Sequence, residues 1–183
     1  MQKKNLLFVI VLILSAAASR LLPHPPNFTP VGAMALFAGA VMGSRFISYL
    51  IPVLAMFMAD LALNNIVYAE YSEGFVWFTE GAIWIYGGIL AMVFLAPKLI
   101  KKISAKSIVL ASLVGAAVFF LLSNFGVWLG GALYAKSLTG LIACYGAALP
   151  FFLNSILGNL VFGGAMFGIY HLVQTKVLAP TKG

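Results

Sequence analysis

Long apolar runs alternate along the chain with short polar or proline-rich segments. The runs approach the roughly 20 residues that a helix needs to cross a hydrocarbon core about 30 Å thick. They predict an all-α, polytopic membrane protein in which residues 1–183 form one integral membrane domain, a bundle of about six transmembrane helices. The predicted spans are residues 5–22, 30–46, 47–65, 79–97, 107–129 and 150–173.

The composition supports the same class. The 183 residues are 63% hydrophobic and 8% charged, and the mean hydropathy is +1.07. A water-soluble domain has roughly a quarter of its residues charged. We therefore expect the lipid bilayer to surround most of the chain, and six spans leave no room for a separate soluble domain.

The net charge of +7 would also suit a nucleic-acid-binding protein, but the basic residues lie in the predicted loops. With the N-terminus in the cytoplasm, nine basic residues fall on the inner side, and Arg20 and Lys136 fall outside. By the positive-inside rule this predicts an inner-membrane protein with both termini cytoplasmic. No nucleic-acid partner is expected. The inner set is Lys3, Lys4, Arg45, Lys98, Lys101, Lys102, Lys106, Lys176 and Lys182.

The first span has a second interpretation as a cleaved signal peptide. Lys3 and Lys4 precede an apolar run, and Ala16, Ala17 and Ala18 resemble a cleavage site. Arg20 directly after that site, and the short distance to the next span, favour a retained helix.

Polar side chains within or beside the spans all fall in the predicted outer half of the membrane. Each costs a few kcal/mol in hydrocarbon unless it has a partner or faces a cavity. The cytoplasmic halves are almost wholly apolar, whereas a channel needs polar lining through its full depth. The pattern predicts a bowl open to the outside. The polar set is Asp60, Asn64, Asn65, Glu80, Asn124 and Asn154.

The outer loops add aromatic and polar groups suited to a small-molecule pocket. The predicted ligand-binding residues are His24, Asn27, Phe28, Asp60, Asn64, Trp84, Asn124, Trp128, Tyr145 and Asn154. Structural roles compete with this interpretation. The aromatic rings suit an interfacial belt, Asp60 can pair across helices, His24 can order its loop, and Glu80 can stabilise a helix start.

One stretch carries a family resemblance. Residues 20–33 read RLLPHPPNFTPVGA and are followed by Ala35-Leu36-Phe37. This resembles the signature of a largely uncharacterised family of small bacterial membrane proteins, and later pieces extend the match through nearly the whole chain. Those pieces are Ala59-Asp60, Asn64-Asn65, residues 123–128 (SNFGVW), Cys144-Tyr145 and residues 149–152 (LPFF).

That family is similar in size, span number and outward-facing polar groups to the S components of energy-coupling-factor (ECF) vitamin transporters. The resemblance implies a micronutrient held near the outer face, under the loop from Pro23 to Pro30. It also implies partners, a membrane T component and two cytoplasmic ATPases. One feature departs from the S-component pattern. Their first helix commonly carries an alanine-xxx-alanine strip, whereas this first span offers Ser15 and Ser19, and the better small-residue strip is Ala35, Gly39 and Gly43 on span two.

These observations favour a substrate-binding membrane subunit for uptake of a small, vitamin-like micronutrient. No Gly-x-x-x-x-Gly-Lys-Ser/Thr motif occurs, so partner subunits would supply ATP hydrolysis. One alternative is an intramembrane enzyme that uses Asp60, Glu80 or His24. Another is a scaffold without a ligand. No metal-ligand spacing such as His-x-x-x-His occurs and no cofactor is expected, and the lone Cys144 cannot form an internal disulfide.

Overall fold

The computed structural model describes residues 3–43 and 45–176. This part of the chain contains six α-helices, as the apolar runs predict. They are α1 (Lys3–Ala18), α2 (Val31–Met42), α3 (Phe46–Ala62), α4 (Ala82–Leu99), α5 (Ala105–Gly130) and α6 (Leu138–Lys176).

Five helical segments are long and apolar enough to cross a membrane, which suggests a membrane protein. They are Lys4–Leu21, Phe46–Val67, Ala82–Leu99, Ala105–Gly130 and Leu138–Thr175. The exception is α2, whose 12 residues are fewer than a full crossing needs.

The short helix α2 lies at the centre of the bundle. Ten of its 12 residues are buried, and it contacts each of the other five α-helices. A helix that is apolar on all sides is typical of such a position. Gly39 lies directly against the Val93 carbonyl and Ala96 of α4. The small residue therefore lets the two backbones approach closely.

The longest helix, α6, begins well before the predicted sixth span. The sequence predicts that span from Pro150, because proline commonly separates apolar runs. In the structure Pro150 lies inside α6, which starts at Leu138. Ser137 provides the start, because its hydroxyl accepts a hydrogen bond from the Gly140 amide at 3.2 Å.

Helix directions alternate, so the bundle has two distinct ends. The ends of α1 and α3 meet the start of α4, where Arg20, Asp60 and Tyr86 interact. We call this the Arg20 end. At the opposite side Phe37 of α2 packs edge-on against Phe167 and Tyr170 of α6, with ring centroids 5.1 and 5.5 Å apart. We call this the Phe37 half.

The interior of the Phe37 half is apolar. Val9 of α1, Ala96 of α4 and Phe167 of α6 are fully buried. Its stabilisation therefore comes from packing of side chains against one another, with few polar interactions.

Candidate functional site

A buried ion pair organises the Arg20 end. The Arg20 guanidinium donates through Nη1 to Asp60 Oδ1 at 2.8 Å, and the two side chains are only 11% and 13% exposed. The same Nη1 lies 2.8 Å from the Met56 sulfur. Tyr86 of α4 donates its hydroxyl to Asp60 Oδ2 at 2.9 Å. Both oxygens of the Asp60 carboxylate are thus occupied, and α1, α3 and α4 are tied together.

The proline-rich loop between α1 and α2 folds into a defined turn. The Phe28 amide donates to the Pro25 carbonyl at 3.0 Å, which makes Pro26 and Asn27 the central residues of a four-residue turn. Asn27 has a φ of 61°, a left-handed conformation that asparagine tolerates better than most residues. Proline followed by a residue with positive φ is the pattern of a type II turn.

Helix α6 provides the seat for this loop. Asn154 donates its side-chain amide to the Pro26 carbonyl at 2.9 Å. One turn further along, a Cβ at Gly158 would lie 2.8 Å from the Thr29 carbonyl oxygen and 2.9 Å from the Thr29 nitrogen. A larger residue at that position would push the loop away. Phe28 adds an aromatic contact to Phe162, with centroids 5.7 Å apart.

A cavity of about 160 Å³ lies beneath the loop. It is bounded by the α1–α2 loop and by residues from α2 to α6. Its polar wall consists of Arg20, Asn27, Thr29, Ser155 and Asn159, and its apolar wall includes Val31, Met56, Ile85, Met92, Ala116 and Phe119. Interior cavities with several polar groups hold water or a polar ligand, whereas purely apolar ones stay dry.

Asn159 is the most deeply buried polar side chain of the cavity wall, at 4% exposure. Its Nδ2 donates to the Ser112 carbonyl at 3.2 Å, and the Ser112 hydroxyl donates to the Asn159 carbonyl at 3.3 Å. This reciprocal pair joins α5 to α6. The Asn159 side chain rests against Gly32 of α2, where a Cβ would collide with it.

The structure brings three of the predicted ligand-binding residues to this loop and cavity. Asn27 lines the cavity, Phe28 covers α6, and Asn154 holds the loop. His24 is exposed, and its Nδ1 lies 3.0 Å from the Pro25 carbonyl oxygen. Asp60 does not line the cavity and instead holds Arg20, which does.

The remaining predicted residues on α4, α5 and α6 bond to nearby protein groups and do not line the cavity. Trp84 packs against Phe125 at 5.1 Å. Asn124 donates to the Phe120 carbonyl at 2.8 Å, Trp128 to the Ala135 carbonyl at 2.9 Å, and Tyr145 to the Leu121 carbonyl at 2.6 Å. The Trp128 and Tyr145 bonds link α5 to the residues before α6 and in its first turns, the Asn124 bond lies within α5, and the Trp84 contact joins α4 to α5.

Two neighbouring asparagines follow Asp60 in a π-helical segment, Leu63–Val67. Asn64 was predicted to bind ligand, and its buried Nδ2 has no hydrogen-bond partner among the described residues. Asn65 fastens the following loop, because its Nδ2 donates to the Val76 carbonyl at 2.9 Å and its Oδ1 accepts from the Val76 amide at 2.7 Å.

Sequence reasoning missed most of the cavity wall. Arg20 was counted as a loop charge, and Thr29, Ser155 and Asn159 were not singled out. A signal for α6 was present, because Ser155 and Asn159 are four residues apart and so share one helix face.

The enzyme interpretation relies on Asp60, Glu80 or His24, and the structure offers no metal centre among its described residues to assist them. Within residues 3–43 and 45–176, no group of three or more His, Cys, Asp or Glu side chains could hold a metal ion. Asp60 is already bonded on both oxygens. No observation at this end of the bundle favours catalysis over binding.

The sequence matches the model of a protein family over residues 1–181, and that family is described as a family of unknown function, DUF6580. The chain belongs to this family. No curated protein and no solved structure matches the chain. Membership in DUF6580 therefore assigns no activity, and function must be argued from the site itself.

Proposed function

We propose that this protein is a substrate-binding membrane subunit that takes up a small, vitamin-like molecule from the outer face of the bacterial inner membrane. The observation that carries the proposal is the cavity of about 160 Å³ under the α1–α2 loop, walled by Arg20, Asn27 and Asn159 within an otherwise apolar bundle. Buried polar groups are costly in such surroundings, and a bound ligand is one reason to keep them.

The contrast between the two sides of the bundle supports a receptor over a channel. The polar wall lies at the Arg20 end, while Phe37, Phe167 and Tyr170 fill the opposite half. A molecule entering the cavity from the Arg20 end meets a packed apolar layer. Its release on the far side would require a change in the whole bundle.

The proposed orientation puts the Arg20 end outside and both termini in the cytoplasm, in line with the positive-inside rule. We propose that partner subunits supply the energy, as in the ECF transporters whose S components the sequence resembles. Reporter fusions placed after Lys102 and within residues 131–136 test the orientation. The first should report a cytoplasmic location and the second an external one.

The size of the cavity restricts the ligand. Drug-sized ligands occupy pockets of roughly 300–1,000 Å³, whereas an apolar cavity of about 150 Å³ takes benzene. A larger molecule would have to displace the loop that Asn154 and Gly158 seat. The proposal therefore expects either a compact ligand or a loop that opens.

The direct test is ligand stabilisation of the purified protein in detergent. Thermal unfolding should be measured against a panel of water-soluble vitamins and their precursors, with mass spectrometry of any co-purifying compound. A specific rise in melting temperature that the Asn159→Ala variant loses, and that Ser123→Ala retains, supports the proposal. Intact folding with no response to any compound contradicts it.

A further inference from the structure

We infer that the cavity recognises a compact, neutral amide, whose carbonyl accepts hydrogen bonds from Arg20 and whose N–H donates to Asn159. This inference rests on the proposed binding function and adds the chemical class of the ligand. It follows from three properties of the site. They are the guanidinium nitrogens of Arg20 that bond to no protein group, the neutralisation of Arg20 by Asp60, and the side-chain oxygen of Asn159 that accepts no hydrogen bond from the protein.

The first property is the unused edge of the Arg20 guanidinium. Nη1 is engaged by Asp60 and by the Met56 sulfur. The Nε atom is buried and has no hydrogen-bond partner within the described part of the chain. Nη2 likewise donates to none of the described residues. The Nε atom itself is covered by protein, so a ligand oxygen in the cavity would reach the guanidinium through the N–H groups of Nη2.

The second property is the charge of the site. Arg20 is the single lysine, arginine, histidine or acidic side chain among the described residues that line the cavity, and Asp60 already neutralises it. A carboxylate ligand would leave a net negative charge in a site of low dielectric, which is expensive. A neutral carbonyl oxygen accepts from Nη2 without that cost. The balance of charge thus selects an amide-type oxygen over an anion.

The third property is an acceptor on Asn159, a second residue of the cavity wall. The hydrogen bond from Asn159 Nδ2 to the Ser112 carbonyl fixes which side-chain atom is the oxygen. That oxygen, Oδ1, accepts no hydrogen bond from any described residue. A ligand N–H would complete its bonding. An amide carries both required groups, a carbonyl acceptor and an N–H donor, on one rigid plane.

The apolar wall and the volume describe the rest of the ligand. Ile85, Met92 and Phe119 offer a surface for a small ring or short alkyl group. The volume of about 160 Å³ is close to the roughly 150 Å³ of an apolar protein cavity that binds benzene. About five water molecules would occupy the same space at roughly 30 Å³ each. Water alone is therefore the competing occupant.

The test uses benzamide as the probe, with benzoate and toluene as comparisons of similar shape. Binding to the purified full-length protein is measured by calorimetry, together with thermal unfolding. Benzamide should bind at least tenfold more tightly than benzoate, which carries a charge, and than toluene, which has no polar group. Equal binding of benzoate and benzamide, or no binding of benzamide to folded protein, would overturn the assignment.

Two variants locate the contact. Arg20→Lys retains a cation for Asp60 but loses the Nη2 donor, so benzamide affinity should fall at least tenfold. Asn159→Ala removes the acceptor without touching the ion pair, and it should also weaken benzamide at least tenfold. If Arg20→Lys fails to fold, the Asn159→Ala variant alone tests the assignment. The matched control is Ser123→Ala on α5, whose hydroxyl bonds the Phe119 carbonyl of its own helix. The assignment fails if folded Asn159→Ala binds benzamide as the control does.

The receptor proposal and this inference can fail separately. A vitamin-panel compound without an amide that stabilises the protein, while benzamide does not, retains the receptor proposal and removes the amide class. No response to either the panel or benzamide removes both.

Discussion

The Arg20 end and the Phe37 half of the same bundle are stabilised by different interactions. At the Arg20 end, Asp60 holds Arg20 and Tyr86 through oriented bonds of 2.8 and 2.9 Å. In the Phe37 half, Phe37 meets Phe167 and Tyr170 through ring contacts of 5.1 and 5.5 Å. The first arrangement fails if one partner is lost, while the second loses stability in proportion to the volume removed.

This difference separates function from stability. At Phe37 the helices meet through aromatic rings, whereas at the Arg20 end they meet through an ion pair and a hydrogen bond to Asp60. Buried polar groups provide directional bonds that a ligand site can use, at a desolvation cost that apolar packing does not carry. Substitutions in the Phe37 half should alter stability and leave ligand binding unchanged, whereas substitutions around Arg20 should alter both.

The largest effect is expected for Asp60→Ala. It leaves the Arg20 guanidinium buried without its counter-ion, and breaking such a pair costs about 3–5 kcal/mol. Equilibrium unfolding in mixed detergent measures the loss. The double variant Arg20→Met with Asp60→Leu should be less destabilised than the sum of its single variants, because it leaves no unpaired charge. Additive losses would show that the ion pair is not coupled.

Phe37→Ala should come next, at about 3 kcal/mol. That value is the lower limit measured for Phe→Ala in protein cores, and we expect it because the unfolded chain in detergent also keeps apolar groups away from water. Ligand affinity should not change. Phe8→Ala is the matched control, because Phe8 has a single, more distant ring contact to Tyr170 at 6.4 Å. A larger loss for Phe8→Ala would contradict the central position given to Phe37.

Tyr86→Phe should cost about 2 kcal/mol, since it removes one hydrogen bond to a charged group and keeps the ring. The Asp60 carboxylate would retain Arg20 but lose its fixed orientation. Ligand affinity should fall by less than for Arg20→Lys. The same unfolding and calorimetry experiments decide this. An affinity loss as large as that of Arg20→Lys would mean that Tyr86 contacts the ligand itself.

Asn154→Ala should have the smallest effect on stability, about 1 kcal/mol, because it removes one neutral hydrogen bond to the loop. Its result should be local. Amide hydrogen exchange at Asn27 and Phe28 should accelerate, while exchange in α2 should not. Thr175→Ala, which removes a hydrogen bond within α6, is the control. Unchanged exchange in the loop would show that Gly158 and Phe28 seat it without Asn154.

The sequence predicted the class of fold well, because the length and apolarity of a span are written directly in the chain. The sixth predicted span begins at Pro150, whereas the helix that contains it begins at Leu138, where Ser137 provides the cap. The sequence also predicts for α2 a full span of 17 residues, from 30 to 46, where the structure has 12. Tertiary burial, which no local pattern reports, allows this helix to be short.

The predicted ligand-binding residues overlap the wall of the cavity only in part. Asn27 was foreseen because polar groups in a proline-rich loop draw attention, and it lines the cavity. Asn159 was not foreseen because it is a lone polar residue in an apolar stretch. Asn124 and Tyr145 were predicted from residue type, but the side chain of each donates a hydrogen bond to a backbone carbonyl. Whether each of these residues lines the cavity depends on the direction of its side chain, which the spacing of residues along the sequence determines only in part.

The short helix α2 alters the barrier that a molecule in the cavity would face in a bilayer. Its 12 residues extend about 18 Å, at 1.5 Å per residue, against a hydrocarbon core of about 30 Å. In the proposed orientation the shortfall lies on the side of Pro23–Pro30, where irregular backbone is tolerated only if protein or water surrounds it. Water would then reach down toward Val31, and a molecule leaving the cavity for the far side would have only about three-fifths of the usual hydrocarbon thickness to cross.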